Sequence, residues 1–325
     1  MTPSADPEFW RGQRVLVTGG RGFLGQAVLD RLQTRLPGAV LAPTSSDFDL
    51  RDRSAVTALF AETEPDLVIH LAARVGGIGA NMERPADLYL DNLLMGTYVL
   101  DEARLRETPK TVVIGTICSY PKFTPVPSRE ESLWQGYPEE TNAPYGIAKL
   151  AQLVQLQANR EQYGQSAIYL MPTNLYGPRD KFHPGVSHVI PALIKKAVDA
   201  REQGADHLEV WGTGAASREF LYVDDAAEGI VMAAERYDGD EPVNLGADRE
   251  LPIRDLVEIV VKLVGFEGEV RWDTSKPDGQ PRRGVDASRA RDLFGFVAGT
   301  PFDEGLRLTL DWYLAHREDA ESRPY

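Results

Sequence analysis

The chain has 325 residues and a single cysteine, Cys118. One thiol excludes an internal disulfide and any metal site built on clustered thiolates, and it fits a reducing, cytoplasmic compartment. Long apolar runs are also missing. Nothing approaches the ~20 consecutive apolar residues that a membrane span requires, so no membrane partner is expected. Basic charge is scarce: 35 Lys and Arg stand against 49 Asp and Glu, a formal net charge of −14. Such a field disfavours nucleic acid and anionic membrane surfaces. An anionic ligand then needs a local cationic pocket, for which Lys195, Lys196, Arg218, Lys276, Arg282 and Arg283 are the candidates. Internal repeats and low-complexity segments are absent, which leaves an ordinary globular chain without a metal centre.

What is present is enough apolar residue, 42%, for a large core in two lobes. Residues 1–12 contain Pro3, Asp6, Pro7 and Glu8 without a continuous apolar segment, and read as a flexible arm rather than a signal peptide. Gln13 to Thr18 reads as a buried strand. It runs into Gly19-Gly20-Arg21-Gly22-Phe23-Leu24-Gly25 and then a helical pattern with Ala27, Val28 and Leu32 on one side. Strand, glycine turn and helix is the context a dinucleotide fingerprint requires: glycines let the backbone approach a pyrophosphate, and the helix N-terminus donates N–H groups to it. A strand at Ala39 to Ala42 ends in Pro43-Thr44-Ser45-Ser46, with no acid before Asp47. An acid at that point would select NAD through the ribose hydroxyls. Its absence favours NADP, with Arg21 as a phosphate partner, while Asp49 and Leu50 edge an adenine pocket.

Asp66 to Leu71 and Thr111 to Thr116 are further strands, and a long helix covers about Ala86 to Arg106. His70, inside a strand, reads as a core residue. The small residues from Ala72 to Gly77 leave room for a cofactor. The alternation predicts an α/β fold, a Rossmann-type doubly wound parallel sheet with a smaller C-terminal α/β substrate lobe. The expected domains are 13–180 for NADP, with returning segments near 218–246, and 181–325 mainly for the substrate. Ligands bind beyond the carboxyl ends of such strands, where Gly19, Ala72 and Thr116 fall.

The stretch from Thr116 to Lys149 carries the chemistry. Tyr145 and Lys149 share one face of a helix expected to open at Tyr145. A nearby ammonium lowers a phenol's pKa and makes it usable as an acid or base. A hydroxyl at Thr116 can hold a substrate oxygen. A Tyr-x-x-x-Lys pair alone is common on helix surfaces, so its meaning depends on the glycine turn upstream.

Taken with Pro172-Thr173-Asn174-Leu175-Tyr176-Gly177-Pro178, these residues resemble the extended short-chain dehydrogenase/reductases that act on nucleotide sugars. Cys118-Ser119-Tyr120-Pro121-Lys122, Ser187-His188-Val189-Ile190-Pro191, Val210-Trp211-Gly212, Arg218-Glu219-Phe220-Leu221 and Ser275-Lys276-Pro277-Asp278-Gly279 narrow the resemblance to the GDP-L-fucose synthase family. The resemblance implies an NADPH-dependent enzyme, working as a homodimer without a metal, that epimerises a GDP-4-keto-6-deoxy sugar at C3 and C5 and then reduces C4. It implies Tyr145 as proton donor to the C4 oxygen, Lys149 on the nicotinamide ribose, Thr116 on the C4 oxygen, and Cys118 and His188 as the proton-transfer pair. It adds Ile114, Gly115, Pro172, Asn174, Leu175 and His188 to the cofactor contacts. Substrate contacts fall on Asn174, Lys196, Trp211, Arg218, Lys276 and Asp278. Thr116 and Ile117 replace serines, Ser119 an apolar residue and Lys196 an arginine of the family. The proline-rich loop between Ser119 and Ala143, with the changed neighbours Ile117 and Ser119, is therefore expected to set substrate choice. A reductase or epimerase of another GDP-keto sugar, dideoxy or heptose, is the alternative. A non-catalytic dinucleotide sensor would have no use for this catalytic set.

Overall fold

Short apolar strands alternate with longer helices through the first half of the computed structural model, which describes residues 7–76, 78–183, 186–276 and 278–322. The order is α1 (Pro7–Trp10), β1 (Arg14–Thr18), α2 (Phe23–Arg35), β2 (Ala39–Leu41), α3 (Arg53–Thr63), β3 (Leu67–His70), α4 (Ile78–Glu83), α5 (Pro85–Leu105), β4 (Lys110–Ile114), α6 (Ala143–Tyr163) and β5 (Ala167–Pro172). There follow β6 (Asn174–Tyr176), α7 (Val189–Glu202), β7 (His207–Trp211), β8 (Ser217–Tyr222), α8 (Val223–Arg236), β9 (Val243–Leu245) and β10 (Glu250–Pro252). The chain ends with α9 (Ile253–Val264), β11 (Glu269–Asp273), β12 (Arg282–Arg283), α10 (Ser288–Phe294), α11 (Phe302–Ala315) and α12 (Arg317–Ser322). Gly77, Pro277 and residues 1–6 of the expected arm lie outside the described residues.

Strands β1, β3, β4 and β5 are buried almost throughout, as expected of parallel strands covered on both faces. They form one parallel sheet in the order β2-β1-β3-β4-β5-β9. The chain leaves β1 for β2 on one side and crosses to β3 on the other. The turn after β1 therefore sits at the point where the order reverses, which is where such sheets bind ligands. Helices α2 and α8 share a core with one face of the sheet, through Val28, Leu32, Ile230 and Val231. Helices α3, α5 and α6 cover the other face through Leu59, Phe60, Val99, Leu153 and Leu156. A second core joins α7, α9 and α11 to the small sheets of β7 with β11 and β8 with β10, β12 and β6.

Four expectations change. The arm is docked from Pro7 onward: α1 buries Trp10 fully, its indole Nε1 donates to Glu235 Oε2 at 3.2 Å, and Phe9 packs edge-on against its ring. Two adjacent aromatics supply the apolar area that the polar residues around them conceal. Helix α6 begins at Ala143, two residues before Tyr145, with Pro144 in the first turn where its missing N–H is harmless. The segments that return to the first core run past 246, because Ala290, Phe294 and Phe296 pack into it beside α8. The basic, proline-bounded stretch from Trp272 to Arg283 reads as a loop, yet its first two residues, Trp272 and Asp273, end β11, which pairs in parallel with β7. Only Val270 and Trp272 of its five residues are apolar, too short an alternation to stand out.

Candidate active site

The glycine turn is shaped for close approach. Gly19 has φ +72, and a Cβ there would stand 2.7 Å from the Ala72 amide nitrogen. A Cβ on Gly25 would stand 2.2 Å from the Gly19 carbonyl oxygen. Gly22 is the N-cap of α2, so the free N–H groups from Phe23 and Leu24 onward face the turn. Arg21 lies near enough to Asp47 to lower its pKa, after the larger effect of Thr44. Thr44 holds that carboxylate, its amide and hydroxyl both reaching Oδ2 at 2.8 and 2.6 Å. Asp47 and Thr44 are thus engaged with each other, Ser46 Oγ stands 2.6 Å from Thr44 Oγ1, and Arg21 is the cation near the end of β2. Asp49 is clamped by Arg51, which holds it at about 2, and Leu50 is buried under α3.

At the end of β4, Ile114 is in the core and the Gly115 amide donates to Leu170 O at 2.7 Å. Thr116 then caps a 3₁₀ turn, Ile117–Ser119, its hydroxyl accepting from the Cys118 amide at 3.2 Å. The hydroxyl proton remains available to donate outward. Gly146 brings α6 against this turn, since a Cβ would meet the Cys118 carbonyl at 2.6 Å. Ile117 and Ser119 are buried between turn and helix, with Ser119 Oγ donating to Gly146 O at 3.0 Å. They face packing rather than the cleft, against the expectation that they set substrate choice.

Tyr145, half-buried, meets Thr116 and Cys118. Burial pushes its pKa well up, the Cys118 charge adds to that, and the Thr116 hydroxyl opposes it. The expected lowering by Lys149 is absent. Lys149 is itself buried, brought down to about 7 by that burial alone, and its Nζ donates to Gln152 Oε1 at 3.2 Å. Its backbone is fixed by Tyr169, whose hydroxyl donates to Lys149 O at 2.9 Å.

The C-terminal lobe brings cations to the same thiol. Arg283 Nη1 lies 3.6 Å from Cys118 Sγ, and Gln280 Oε1 holds Arg283 through Nε at 3.1 Å and Nη2 at 2.9 Å. Burial first, then the charge of Arg283, brings the neighbouring Arg218 down to about 10. Arg218 donates to the Asp278 carbonyl at 3.2 Å. The Asp278 carboxylate is taken by the Thr213 amide and hydroxyl, each at 2.7 Å. Further out, exposed Trp211 has the Lys196 and Lys276 ammoniums 5.6 and 5.3 Å from its ring centroid, within cation–π range. His188 is the N-cap of α7 and is open to solvent. Desolvation by the surrounding protein, then the Lys181 ammonium, lowers its pKa. Among the described residues it makes no hydrogen bond with Cys118. No group of three or more His, Cys, Asp or Glu poised to hold a metal occurs among the described residues.

Glu219, quoted above only within a motif, ties the site together. Its Oε1 accepts from Ala247 N and Asp248 N, and its Oε2 from Val285 N at 2.7 Å. Its carbonyl accepts from Asn174 Nδ2 at 2.7 Å and Thr173 Oγ1 at 3.3 Å, just past Pro172 and before Leu175. Burial pushes the carboxyl up to about 7 against those three backbone bonds. Glu219→Ala leaves three donors without an acceptor and should cost about 3 kcal/mol, read as a lower urea midpoint. Glu219→Gln retains an acceptor oxygen and should cost less.

Residues 15–246 match the NAD dependent epimerase/dehydratase family. A probable GDP-L-fucose synthase 1 of Oryza sativa subsp. japonica is 44% identical over 305 residues, covering 94% of this chain and 93% of that protein. The crystal structure of a GDP-L-fucose synthetase from Naegleria fowleri bound to NADP superposes with TM-score 0.88 at 31% identity, covering 99% of this chain and 97% of the other. A GDP-6-OMe-4-keto-L-xylo-heptose reductase from C. jejuni superposes with TM-score 0.89 at 26% identity, covering 94% and 98%.

Proposed function

The chain belongs to the NAD dependent epimerase/dehydratase family, among its GDP-L-fucose synthases, and from that membership we propose its reaction. It epimerises a GDP-4-keto-6-deoxy-hexose at C3 and C5 and reduces C4 with NADPH, forming GDP-L-fucose or a close relative. The observation that carries this reading is the single group formed at the end of β4 by Thr116, Cys118 and Tyr145, with Arg283 reaching the same thiol.

When bound, NADPH supplies the hydride for C4. The turn of Gly19, Gly22 and Gly25, with no room for a Cβ at Gly19 or Gly25, fits a pyrophosphate against the N-terminus of α2. Arg21, Thr44 and Ser46 would meet the additional phosphate, and Lys149 the nicotinamide ribose. The protons at C3 and C5 flank the C4 carbonyl, so removing either leaves a stabilised enolate. Cys118 and His188 exchange those protons from opposite faces. Tyr145, kept protonated by its burial, gives its proton to the C4 oxygen while the Thr116 hydroxyl donates a hydrogen bond to it. Lys196, Lys276 and Arg218 hold the diphosphate, Trp211 stacks on the base, and Asp278 and Asn174 complete the pocket. This cluster is the local cationic pocket that a chain of net charge −14 needs for an anionic ligand.

A cytoplasmic homodimer fits the lone thiol and the exposed apolar residues Tyr89 and Leu90 on α5 and Val154 on α6. No helix among the described residues is long and apolar enough to cross a membrane. Purified protein given GDP-4-keto-6-deoxymannose and NADPH should oxidise the cofactor, with solvent deuterium entering C3 and C5. Activity confined to a 4-keto-heptose or dideoxy substrate would transfer the assignment to the alternative, and no oxidation with any GDP-keto sugar would end it. Light scattering at twice the monomer mass is expected.

A further inference from the structure

Lys149 is buried with one side-chain partner among the described residues, the Gln152 amide oxygen. Gln152 is equally buried, and its orientation is fixed: Nε2 donates to the Asn92 carbonyl on α5 at 2.8 Å, which leaves only Oε1 to face Lys149. The space for this amide exists because α5 has a glycine opposite it. A Cβ on Gly96 would stand 2.1 Å from both Cδ and Nε2 of Gln152. Asn92 in turn pins the segment that follows β3. Its Nδ2 donates to Arg74 O at 2.9 Å, and its Oδ1 accepts from the Arg74 amide at 2.9 Å. One residue of α5 thus ties the small-residue segment from Ala72 to the amide that holds the lysine.

We propose that Gln152 is a positioning residue for Lys149: it aims the ammonium and keeps it charged, in place of the carboxylate a buried lysine would otherwise require. The proposal rests on the reading above that Lys149 meets NADPH. The titratable groups around Lys149 do not supply that support. His70 of β3 is depressed by burial first and then by Lys149, so it is neutral. Tyr169 of β5 uses its hydroxyl on the Lys149 carbonyl. Tyr145, on the same helix, and Cys118, beyond the end of β4, couple to each other. Asp91, next to Asn92, is paired with Arg74 and Arg51. Burial alone brings Lys149 down to about 7. An acceptor on its ammonium therefore decides how much of it is charged at neutral pH.

The test is NADPH affinity against pH, by cofactor fluorescence, for wild type, Gln152→Leu, Gln152→Glu and Gly96→Ala. Unfolding midpoints serve as the control for fold. In wild type, affinity should fall as pH rises through the lysine's pKa. Gln152→Leu should move that fall about one pH unit lower, the equivalent of a lost hydrogen bond to a charged group. Gln152→Glu should move it higher. Gly96→Ala, by displacing the amide, should resemble Gln152→Leu. Superimposed profiles in folded variants would overturn the proposal. Shifted profiles in a protein that turns over no GDP-keto sugar would leave the proposal standing and overturn the substrate assignment instead.

Discussion

Tyr145→Phe should lower the NADPH-dependent reduction by about a thousandfold, the range measured for removal of a positioned proton donor, or about 4 kcal/mol of barrier. The ring remains and packs as before, so NADPH affinity should stay within about twofold of wild type, because the lost group acts only in the transition state. The argument for a donor rather than a base lies in the direction of the pKa. Burial and the Cys118 charge both push the phenol up, and the Thr116 hydroxyl only partly opposes them. The hydroxyl therefore holds its proton across the neutral range and releases it only to an oxygen becoming negative. Alkaline loss of reduction should then follow Lys149, at about 7, rather than the phenol. Deuterium exchange at C3 and C5 should persist in Tyr145→Phe, since it uses other groups. Unimpaired NADPH oxidation by this variant would show that another group protonates the sugar.

The parts of this site that the sequence made legible are those encoded within a few residues. A strand, a glycine turn and a helix are contiguous from Arg14 to Arg35, so the cradle follows from local spacing and from the space a Cβ would need. The Tyr145 and Lys149 pair is one helical turn. What stayed hidden depends on partners far along the chain. Gln152 reaches Asn92 across 60 positions and Arg283 reaches Cys118 across 165. A glutamine inside an amphipathic helix and an arginine in a basic loop look like solvated surface until the fold buries one and aims the other. Trp10 is the same case, joined to Glu235 across 225 positions. The electrostatic state of Lys149 is hidden in the sequence for a related reason. Spacing gives proximity to Tyr145, but burial lowers the lysine's pKa and Gln152, on the proposal above, opposes that and sets the ammonium's direction.

Cys118→Ser should reduce deuterium entry at C3 and C5 by about a hundredfold or more, because a serine hydroxyl neither gives nor takes a proton near neutrality as a thiol does. The substitution is nearly isosteric, and the Cys118 amide keeps its bond to Thr116, so the 3₁₀ turn and NADPH affinity should be retained. Reduction should then proceed on the unepimerised ketone, slowly, and the product should carry the C3 and C5 configuration of the substrate. This separates the two halves of the reaction that the 116–149 stretch combines. His188→Gln should impair exchange as well, by a different route. The imidazole is held below its ordinary pKa by its surroundings and by Lys181, so it stands neutral at pH 7 and is protonated only by taking a proton during the reaction. In wild type, exchange should consequently show no acid limb at the ordinary imidazole value of about 6.5 but one displaced below it. In Lys181→Met, where the opposing charge is gone, that limb should move back up. Product analysis by NMR in deuterated buffer reads all three variants. Full exchange in Cys118→Ser would remove the thiol from the mechanism and leave its contact with Arg283 as packing.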